Sequence, residues 1–580
     1  MATKKKSEKV MAENLRPEFA ALSGAHAEVL IIGAGINGIS IARDLSLQGV
    51  NVILVDRSDV MTGASAASSH MIHGGIRYLE NGEFRLVRES VQERNDLLRT
   101  APHVVKPLRT TVPIFSYFAG TLQAPLRMLN HGKGKRSERG AFLIAIGLMI
   151  YESFSRINGS TPRFTFAGKQ KAAQELPSLH PDVKCVATYY DASVHEPERL
   201  AMDLVSDAVA TGHVRVVTYA EAVGSRDGKI TLRDGLTGSE IQVSADVVVN
   251  ASGPLTDLTN DALGKPTEFM GGTKGSHIVV DHPRLHAELA GRELFFENSD
   301  GRIVLIYPVK GRVLIGTTDI FADPRQPVVC TEDEVDYFFD LVRYILPGIT
   351  LDRSQIVFRF SGIRPLPKQD VAAPGFVSRD YRIDQSVLPE TEIPLLSVVG
   401  GKWTTFRALG EHVTNDVLAL LGRPRVVSTL GLPIGGGKYY PSSDRERTIW
   451  ISRHSRTISP FRVEQLLDRY GTRAAEIVSV LETHGDDALA SLPNYSKQEI
   501  AFLVELEKAV RLDDVLLRRT SLAFAGELSQ ERVIEIAEVV ARTLNWSPAR
   551  KEHEISRAWE LLALKHGVVP MNEVAAVVGN

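Results

Sequence analysis

Between Glu28 and Asp56 the sequence sets out a strand, a glycine turn, a helix and a second strand, an order few folds accommodate. Glu28-Val29-Leu30-Ile31-Ile32 is apolar and β-branched and runs directly into Gly33-Ala34-Gly35-Ile36-Asn37-Gly38, a GxGxxG spacing. The first glycine of that spacing permits a tight turn, the second lets backbone N–H groups approach a pyrophosphate, and the third lets the helix pack closely on its strand. The helix N-terminus adds a dipole that favours an anion. Ala42 and Leu45 continue the inward face of the helix and Gly49 ends it. Asn51 to Asp56 then reads as the second strand, closing eighteen residues after Gly38 on an acid that can accept from a ribose hydroxyl. The glycine spacing alone is weak evidence; the complete unit predicts a dinucleotide site held by Gly33, Gly35, Asn37, Gly38 and Asp56.

A chain of 580 residues exceeds what one core holds, and a prior of about 150 residues per domain gives two to four domains. Lys and Arg number 67 against 70 Asp and Glu, a net charge of −3. That excludes bulk attraction to nucleic acid and makes any anion or membrane contact local. Cys185 and Cys330, the only two cysteines, support neither a disulfide framework nor a metal site, and suit core positions in a reducing cytoplasm. Residues 1–26 begin Lys4-Lys5-Lys6 without the apolar stretch of a signal peptide, so a disordered tail is expected. No run of 18 apolar residues occurs, and no spanning helix is expected.

Several later stretches carry chemistry. Thr62 to Ser69 is a run of small residues whose hydroxyls and amides can donate to phosphate, Ser65, Ser68 and Ser69 among them. Met71-Ile72-His73-Gly74-Gly75-Ile76-Arg77-Tyr78-Leu79-Glu80 sets two glycines beside His, Arg and Tyr, which allows close approach to a flat ring and places a cation near an anionic substrate. Equally, Arg77 could pair with Glu80 or Glu83 on a solvated helix face. Asp246 to Val249 runs into Asn250-Ala251-Ser252-Gly253-Pro254, a strand ending in a small-residue turn about 200 residues past the first, which a flavoprotein uses and an NAD dehydrogenase does not need. Lys274-Gly275-Ser276-His277 opens a set of strands continuing through 302–306 and 313–319, read as an antiparallel sheet. In Phe360-Ser361-Gly362-Ile363-Arg364-Pro365 a planar guanidinium sits where the backbone is fixed, suited to bidentate phosphate or carboxylate binding. Leu395 to Val399 runs into Gly400-Gly401-Lys402-Trp403-Thr404, where free helix amides can meet the flavin ring end.

The stretch 122–151 combines Arg127, His131, Lys133, Lys135, Arg136 and Arg139 with the apolar run Ala141 to Tyr151. Eleven apolar residues cannot cross a hydrocarbon layer of roughly 30 Å. A basic patch beside a short apolar helix suits a protein resting on an anionic membrane; a buried helix after a solvated loop is the alternative. Gly435-Gly436-Gly437-Lys438 lacks the first Walker glycine and reads as part of a linker. From Arg462 to about Val569 apolar residues recur at three- and four-residue spacings, an all-helical segment without the basic excess of a DNA reader.

The serine run, Ile72-His73-Gly74-Gly75-Ile76-Arg77-Tyr78-Leu79, Glu83-Phe84-Arg85-Leu86-Val87, the Lys-Gly-Ser-His motif at 274–277 and Leu512-Asp513-Asp514-Val515-Leu516-Leu517-Arg518-Arg519-Thr520 together resemble the FAD-dependent glycerol-3-phosphate dehydrogenases, within the glycine oxidase and D-amino-acid oxidase group. The resemblance recurs in order to about residue 565. It implies an α/β plus α chain: a Rossmann-like FAD-binding domain (27–115, 184–265, 361–425) interleaved with an antiparallel-sheet substrate domain (116–183, 266–360), a linker (426–461) and a C-terminal all-helical domain (462–580). Its expected cofactor residues are Gly33, Gly35, Asn37, Gly38, Asp56, Ser65, Ser68, Ser69, His73, Gly74, Gly75, Ala251, Gly253, Gly400, Gly401, Lys402 and Thr404.

On this reading sn-glycerol 3-phosphate, or another polyol phosphate such as a tetritol phosphate, is oxidised by hydride transfer to flavin N5. Electrons pass to a membrane quinone at the inner face of the cell membrane, or to oxygen in an oxidase of the same architecture. A flavin-binding protein without turnover is the alternative of a different class. Arg77, Tyr78, Lys274, Arg364 and Lys402 are expected to hold the substrate. His277 is the first choice of base and His73 the second, with Lys274 lowering a histidine pKa or stabilising the alkoxide. A homodimer is admitted. At His195-Glu196-Pro197 the chain departs from the family's more usual Asp pair.

Overall fold

The computed structural model describes residues 16–76, 83–118, 140–155, 161–298, 300–368 and 380–570. Two sheets organise it. In the first, Pro394–Val399, Glu240–Asn250, His26–Ile32, Val52–Val55 and Val214–Val217 lie side by side and parallel, with Arg382–Val387 antiparallel at one edge. The hairpin Ala220–Arg226 and Lys229–Asp234 joins through Glu240–Asn250. The strand residues Val29 to Ile32 and Val247 to Asn250 are all buried, as a parallel sheet covered on both faces requires. The helix Ile36–Leu47 follows the first strand, and Ile39, Ala42 and Leu45 share its core with Leu200 and Leu204 of the helix Pro197–Ala210 and with Leu409 and Val413 of Phe406–Leu420.

The second sheet has ten strands, in the order Ile320–Phe321, Thr273–Val280, Arg312–Gly316, Ile303–Val309, Arg292–Glu297, Val105–Ile114, Cys185–Val194, Met71–Ile72, with Ile356–Ile363 on the other side of Thr273–Val280 and Thr165–Gly168 paired with Cys185–Val194. It is antiparallel except where Arg292–Glu297 runs parallel to Val105–Ile114. Val105–Ile114 and Cys185–Val194 pair over ten residues within this sheet, so the boundaries expected at 115 and 184 are corrected: both strands belong to the second sheet and not the first. The helix Pro197–Ala210 then returns the chain to the first core.

The C-terminal helices Pro460–Tyr470, Ala474–His484, Lys497–Leu506, Gln530–Thr543 and Pro548–Leu561 share one core with the second sheet: Leu466, Phe502 and Leu516 pack in the same cluster as Tyr307, Phe358 and Phe360. Two further corrections concern the ends. Phe19 and Leu22 are buried against the first sheet and Arg16 bonds Asp234, so these residues, expected within the tail, belong to the fold. The expected linker contains the helix Asp444–His454, capped by Ser443. Gly436 and Gly437 lie against the backbones of Tyr470 and Thr100 with no room for a Cβ, which makes the triple glycine a packing turn.

Candidate active site

A single cavity of about 1470 Å³ runs between the two sheets and under the helical domain. At its nucleotide side Gly33 adopts φ +111°, and a Cβ there would lie 2.6 Å from the Ala251 carbonyl oxygen. A Cβ on Gly38 would overlap the Gly33 carbonyl, so the close helix approach expected of the third glycine is observed. Asp56 accepts from the Ala34 amide at 2.7 Å and the Ser58 amide at 2.8 Å, and burial pushes its carboxyl up to about 6 against those bonds. Ser65 Oγ accepts from the Ile36 amide at 3.1 Å. Its carbonyl accepts from Trp403 Nε1 at 3.0 Å, and the His73 carbonyl accepts from Thr404 Oγ1 at 3.1 Å. The third glycine motif is thereby fastened to the serine loop. Asn37 Oδ1 is buried without a protein partner and its residue lines the cavity, an acceptor awaiting a donor.

On the second sheet's side, His277 is 2 % exposed; its Nε2 lies 2.7 Å from Ser69 Oγ and its ring stacks on Phe360 at 4.8 Å. Burial first, then the nearby Arg364 guanidinium and His70, hold its pKa well below the ordinary histidine value. Arg364 lies across Gly275, where no Cβ would fit. Its Nη1 donates to Asp319 Oδ1 at 2.9 Å, and its Nη2 donates to Thr317 Oγ1 and the Thr318 carbonyl at 3.0 Å each. These bonds fix the guanidinium in place. Lys402, His73, Gly75, Thr404 and Gly401 line the same cavity, as do Gly35, Ser68, Ser69, Ala251 and Gly253.

Other expected site residues have a different place. Lys274 pairs with Glu334 at 2.7 Å and donates to the Val329 carbonyl at 2.8 Å. Side chains alternate along a strand: Gly275 and His277 face the cavity, while Lys274 and Ser276 both bond Glu334 on the opposite face. The charge expected of Lys274 beside the histidine is supplied by Arg364. Gly74 lies outside the cavity lining; its amide donates to Tyr151 Oη and Asp191 Oδ1 at 3.0 Å each, and a Cβ would collide with the tyrosine. Gly400, at φ +91°, packs on the Asp380 carbonyl, and its neighbour Gly401 lines the cavity. Arg77 and Tyr78 lie outside the described residues, as does the basic stretch 127–139.

Two groups of residues escaped the sequence reading. Arg94, fully buried, bonds Asp191 at 2.9 Å, Tyr151 Oη at 2.8 Å and Ser155 Oγ at 2.5 Å behind Gly74. Its signal was an arginine on the helix face that also carries Val87 and Val91. The helical domain contributes Arg511, Phe524, Lys565 and His566 to the cavity wall. At the departure from the family pattern, Glu196 pairs with Lys310, and burial followed by Lys310 pushes His195 down to about 4.

The chain matches the FAD dependent oxidoreductase family over residues 28–382 and the C-terminal domain of alpha-glycerophosphate oxidase over 427–551. It is 30% identical over 569 residues to a glycerol-3-phosphate dehydrogenase of Synechocystis sp., covering 94% of this chain and 98% of that one. It is 28% identical to the mitochondrial glycerol-3-phosphate dehydrogenase of Bos taurus, covering 94% and 74%. The glycerol-3-phosphate dehydrogenase of Bacillus halodurans, solved with FAD, superposes with a TM-score of 0.72 at 22% identity, covering 94% and 97%. Fold and cavity define an FAD-dependent oxidoreductase with a C-terminal helical domain. Within that class, the chain belongs to the FAD-dependent glycerol-3-phosphate dehydrogenase family.

The cofactor fits the residues present: a glycine turn without room for side chains, the Asp56 carboxylate at the next strand end and the orphaned Asn37 oxygen all face the cavity or shape its floor. Gly33, Gly35 and the helix N-terminus would hold the pyrophosphate, Asp56 the ribose, and Gly401, Lys402 and Thr404 the ring end.

Proposed function

We propose that this enzyme oxidises sn-glycerol 3-phosphate to dihydroxyacetone phosphate and passes the electrons to a membrane quinone. The observation that carries the reading is the pairing, on one cavity wall, of a fixed guanidinium fork at Arg364 with a buried neutral imidazole at His277. Bound FAD would supply the two-electron acceptor for the hydride that the secondary alcohol gives up. The protein's own part is positioning and proton handling. Arg364 meets the phosphate or polarises the oxygen at the reacting carbon, with Lys402 of the same cavity and Arg77 and Tyr78 as further ligands. Holding that carbon roughly 3–3.5 Å from the acceptor atom is the larger part of the rate gain. His277 takes the hydroxyl proton: its suppressed pKa keeps it neutral and able to accept, and Ser69 Oγ at 2.7 Å fixes the ring.

Membrane contact is supported by the helix Ala141–Ser155. Leu148 and Tyr151 bury one side of it, while Phe142 and Met149 stand 54% and 57% exposed on the other. Phe118, 73% exposed, ends the described segment beside it, since the Phe142 amide bonds the Tyr117 carbonyl. An amphipathic surface of this kind rests in a lipid interface, and the basic stretch 127–139 would attract anionic lipid. Among the described residues no helix is long and apolar enough to cross a membrane.

Anaerobic mixing of the FAD-loaded enzyme with phosphorylated polyols tests the reading: glycerol 3-phosphate should bleach the flavin, and quinone should restore its colour faster than oxygen does. Faster bleaching by a tetritol phosphate would move the substrate. Reoxidation by oxygen at least as fast as by quinone would make the enzyme an oxidase, and no bleaching by any of these would leave a binding protein.

A further inference from the structure

We propose that the C-terminal helical domain is a latch on the adenosine half of bound FAD, closed by Asp59 seated between Arg518 and Arg519. The inference rests on FAD binding and not on the identity of the polyol.

The strand Val52–Val55 leads to Asp56, the ribose carboxylate, and Asp59 follows three residues later, fully buried. Its carboxylate accepts from Arg518 Nε at 2.6 Å and from Arg519 Nη1 and Nη2 at 2.6 and 2.9 Å. The two guanidiniums hold the Asp59 pKa down to about 2 despite burial. Arg518 also donates to Asp514 at 2.5 Å, and Asp514 accepts from Tyr219 Oη at 2.6 Å. Tyr219 is itself bonded to the same loop, its amide to the Ser58 carbonyl at 3.0 Å, while the next amide, of Ala220, bonds the Asp56 carbonyl at 2.7 Å. One turn of the helical domain therefore grips both chain segments that flank the ribose site.

This geometry is more than a brace between domains. Asp59, Tyr219, Arg518 and Arg519 line the cofactor cavity themselves, and the domain they fasten adds Arg511 and Lys565 to the cavity wall. Arg511 lies over the Tyr219 ring at 5.1 Å. A buried ion cluster is a poor way to gain stability, because apolar residues of like volume serve as well or better. A cluster that must part and re-form as a wall opens is served by charge, which fixes one register. Since that wall belongs to the helical domain, FAD leaves only when Asp59 releases its arginines. Latch closure and FAD binding then stabilise each other by the same factor.

The test uses the full-length FAD enzyme. Release of FAD into excess apo-flavoprotein scavenger is followed by fluorescence, and melting temperatures are taken with and without FAD. Asp59→Asn should speed release at least tenfold and shrink the gain in Tm that FAD confers. Tyr219→Phe, which removes one bond of the cluster without stranding a charge, should act in the same direction and decides the matter if Asp59→Asn does not fold. Arg473→Met breaks a different contact between the same domains, the Arg473–Asp203 pair, and should leave release unchanged. Unchanged release in Tyr219→Phe, or equal acceleration in Arg473→Met, would overturn the latch and leave a plain interdomain brace.

Discussion

Arg364→Ala offers the most direct test of the substrate assignment. The structure fixes what the substitution removes: a guanidinium held in the cavity wall by Asp319, Thr317 and the Thr318 carbonyl, whose positive charge a phosphate would meet. A hydrogen bond to a charged group contributes about 1.5–3 kcal/mol, so kcat/KM for glycerol 3-phosphate should fall roughly ten- to a hundred-fold. The Asp319 carboxylate is left facing the anion, so the loss belongs at the upper end, and Arg364→Ala with Asp319→Asn should recover part of it. The assay is anaerobic stopped-flow reduction of the flavin, run with glycerol 3-phosphate and with glycerol. If Arg364 grips the phosphate, the variant loses preference between the two. An equal fractional loss on both alcohols would assign Arg364 to the reacting oxygen instead, and a change below threefold would remove it from the site.

Two further outcomes follow from particular residues. Neutralising Lys133, Lys135, Arg136 and Arg139 should release the enzyme from anionic vesicles, at about 1 kcal/mol per charge; equal co-sedimentation of variant and wild type would end the membrane proposal. Glu293 is fully buried, and burial raises its pKa from 4.5 to about 8. Its folded pKa lies above its unfolded one, so its contribution is complete below about pH 4.5 and is lost as pH rises toward 8, by up to about 5 kcal/mol. Glu293→Gln should flatten that slope in urea unfolding at pH 5 and pH 8, and parallel stability curves for the two proteins would contradict it.

The nucleotide side of the site was legible because it is local and made of backbone. The role of Gly38 depends on a near neighbour in sequence, Gly33, whose carbonyl a Cβ would strike. The substrate side is set by pleat and by distant chain. Lys274 and His277 stand three residues apart in one motif, and strand alternation sends them to opposite faces. Val105–Ile114 and Cys185–Val194 read as pieces of the nucleotide domain until their pairing, across some 70 residues, puts them in the other sheet. Asp59 gave no signal in the sequence because its partners, Arg518 and Arg519, lie about 460 positions away. Charge satisfaction at that range leaves no periodic trace in the sequence.

In the proposed reaction the low basicity of His277 is coupled to a phosphate at Arg364. Burial and the Arg364 charge together oppose a proton on His277, which keeps the base free but weak. A substrate phosphate bound at Arg364 offsets that charge, so the histidine pKa rises when glycerol 3-phosphate is seated and does not when glycerol is. The base acts in its neutral form, and activity is therefore lost on the acid side of its pKa. In kcat/KM, which reports the free enzyme, that acid limb should lie at lower pH than in kcat, which reports the complex. With glycerol the two limbs should coincide, as they should for Arg364→Ala acting on either alcohol. Coincident limbs with glycerol 3-phosphate in the wild-type enzyme would show that Arg364 and His277 do not share the phosphate's field, and the two residues would then have to serve different parts of the cavity.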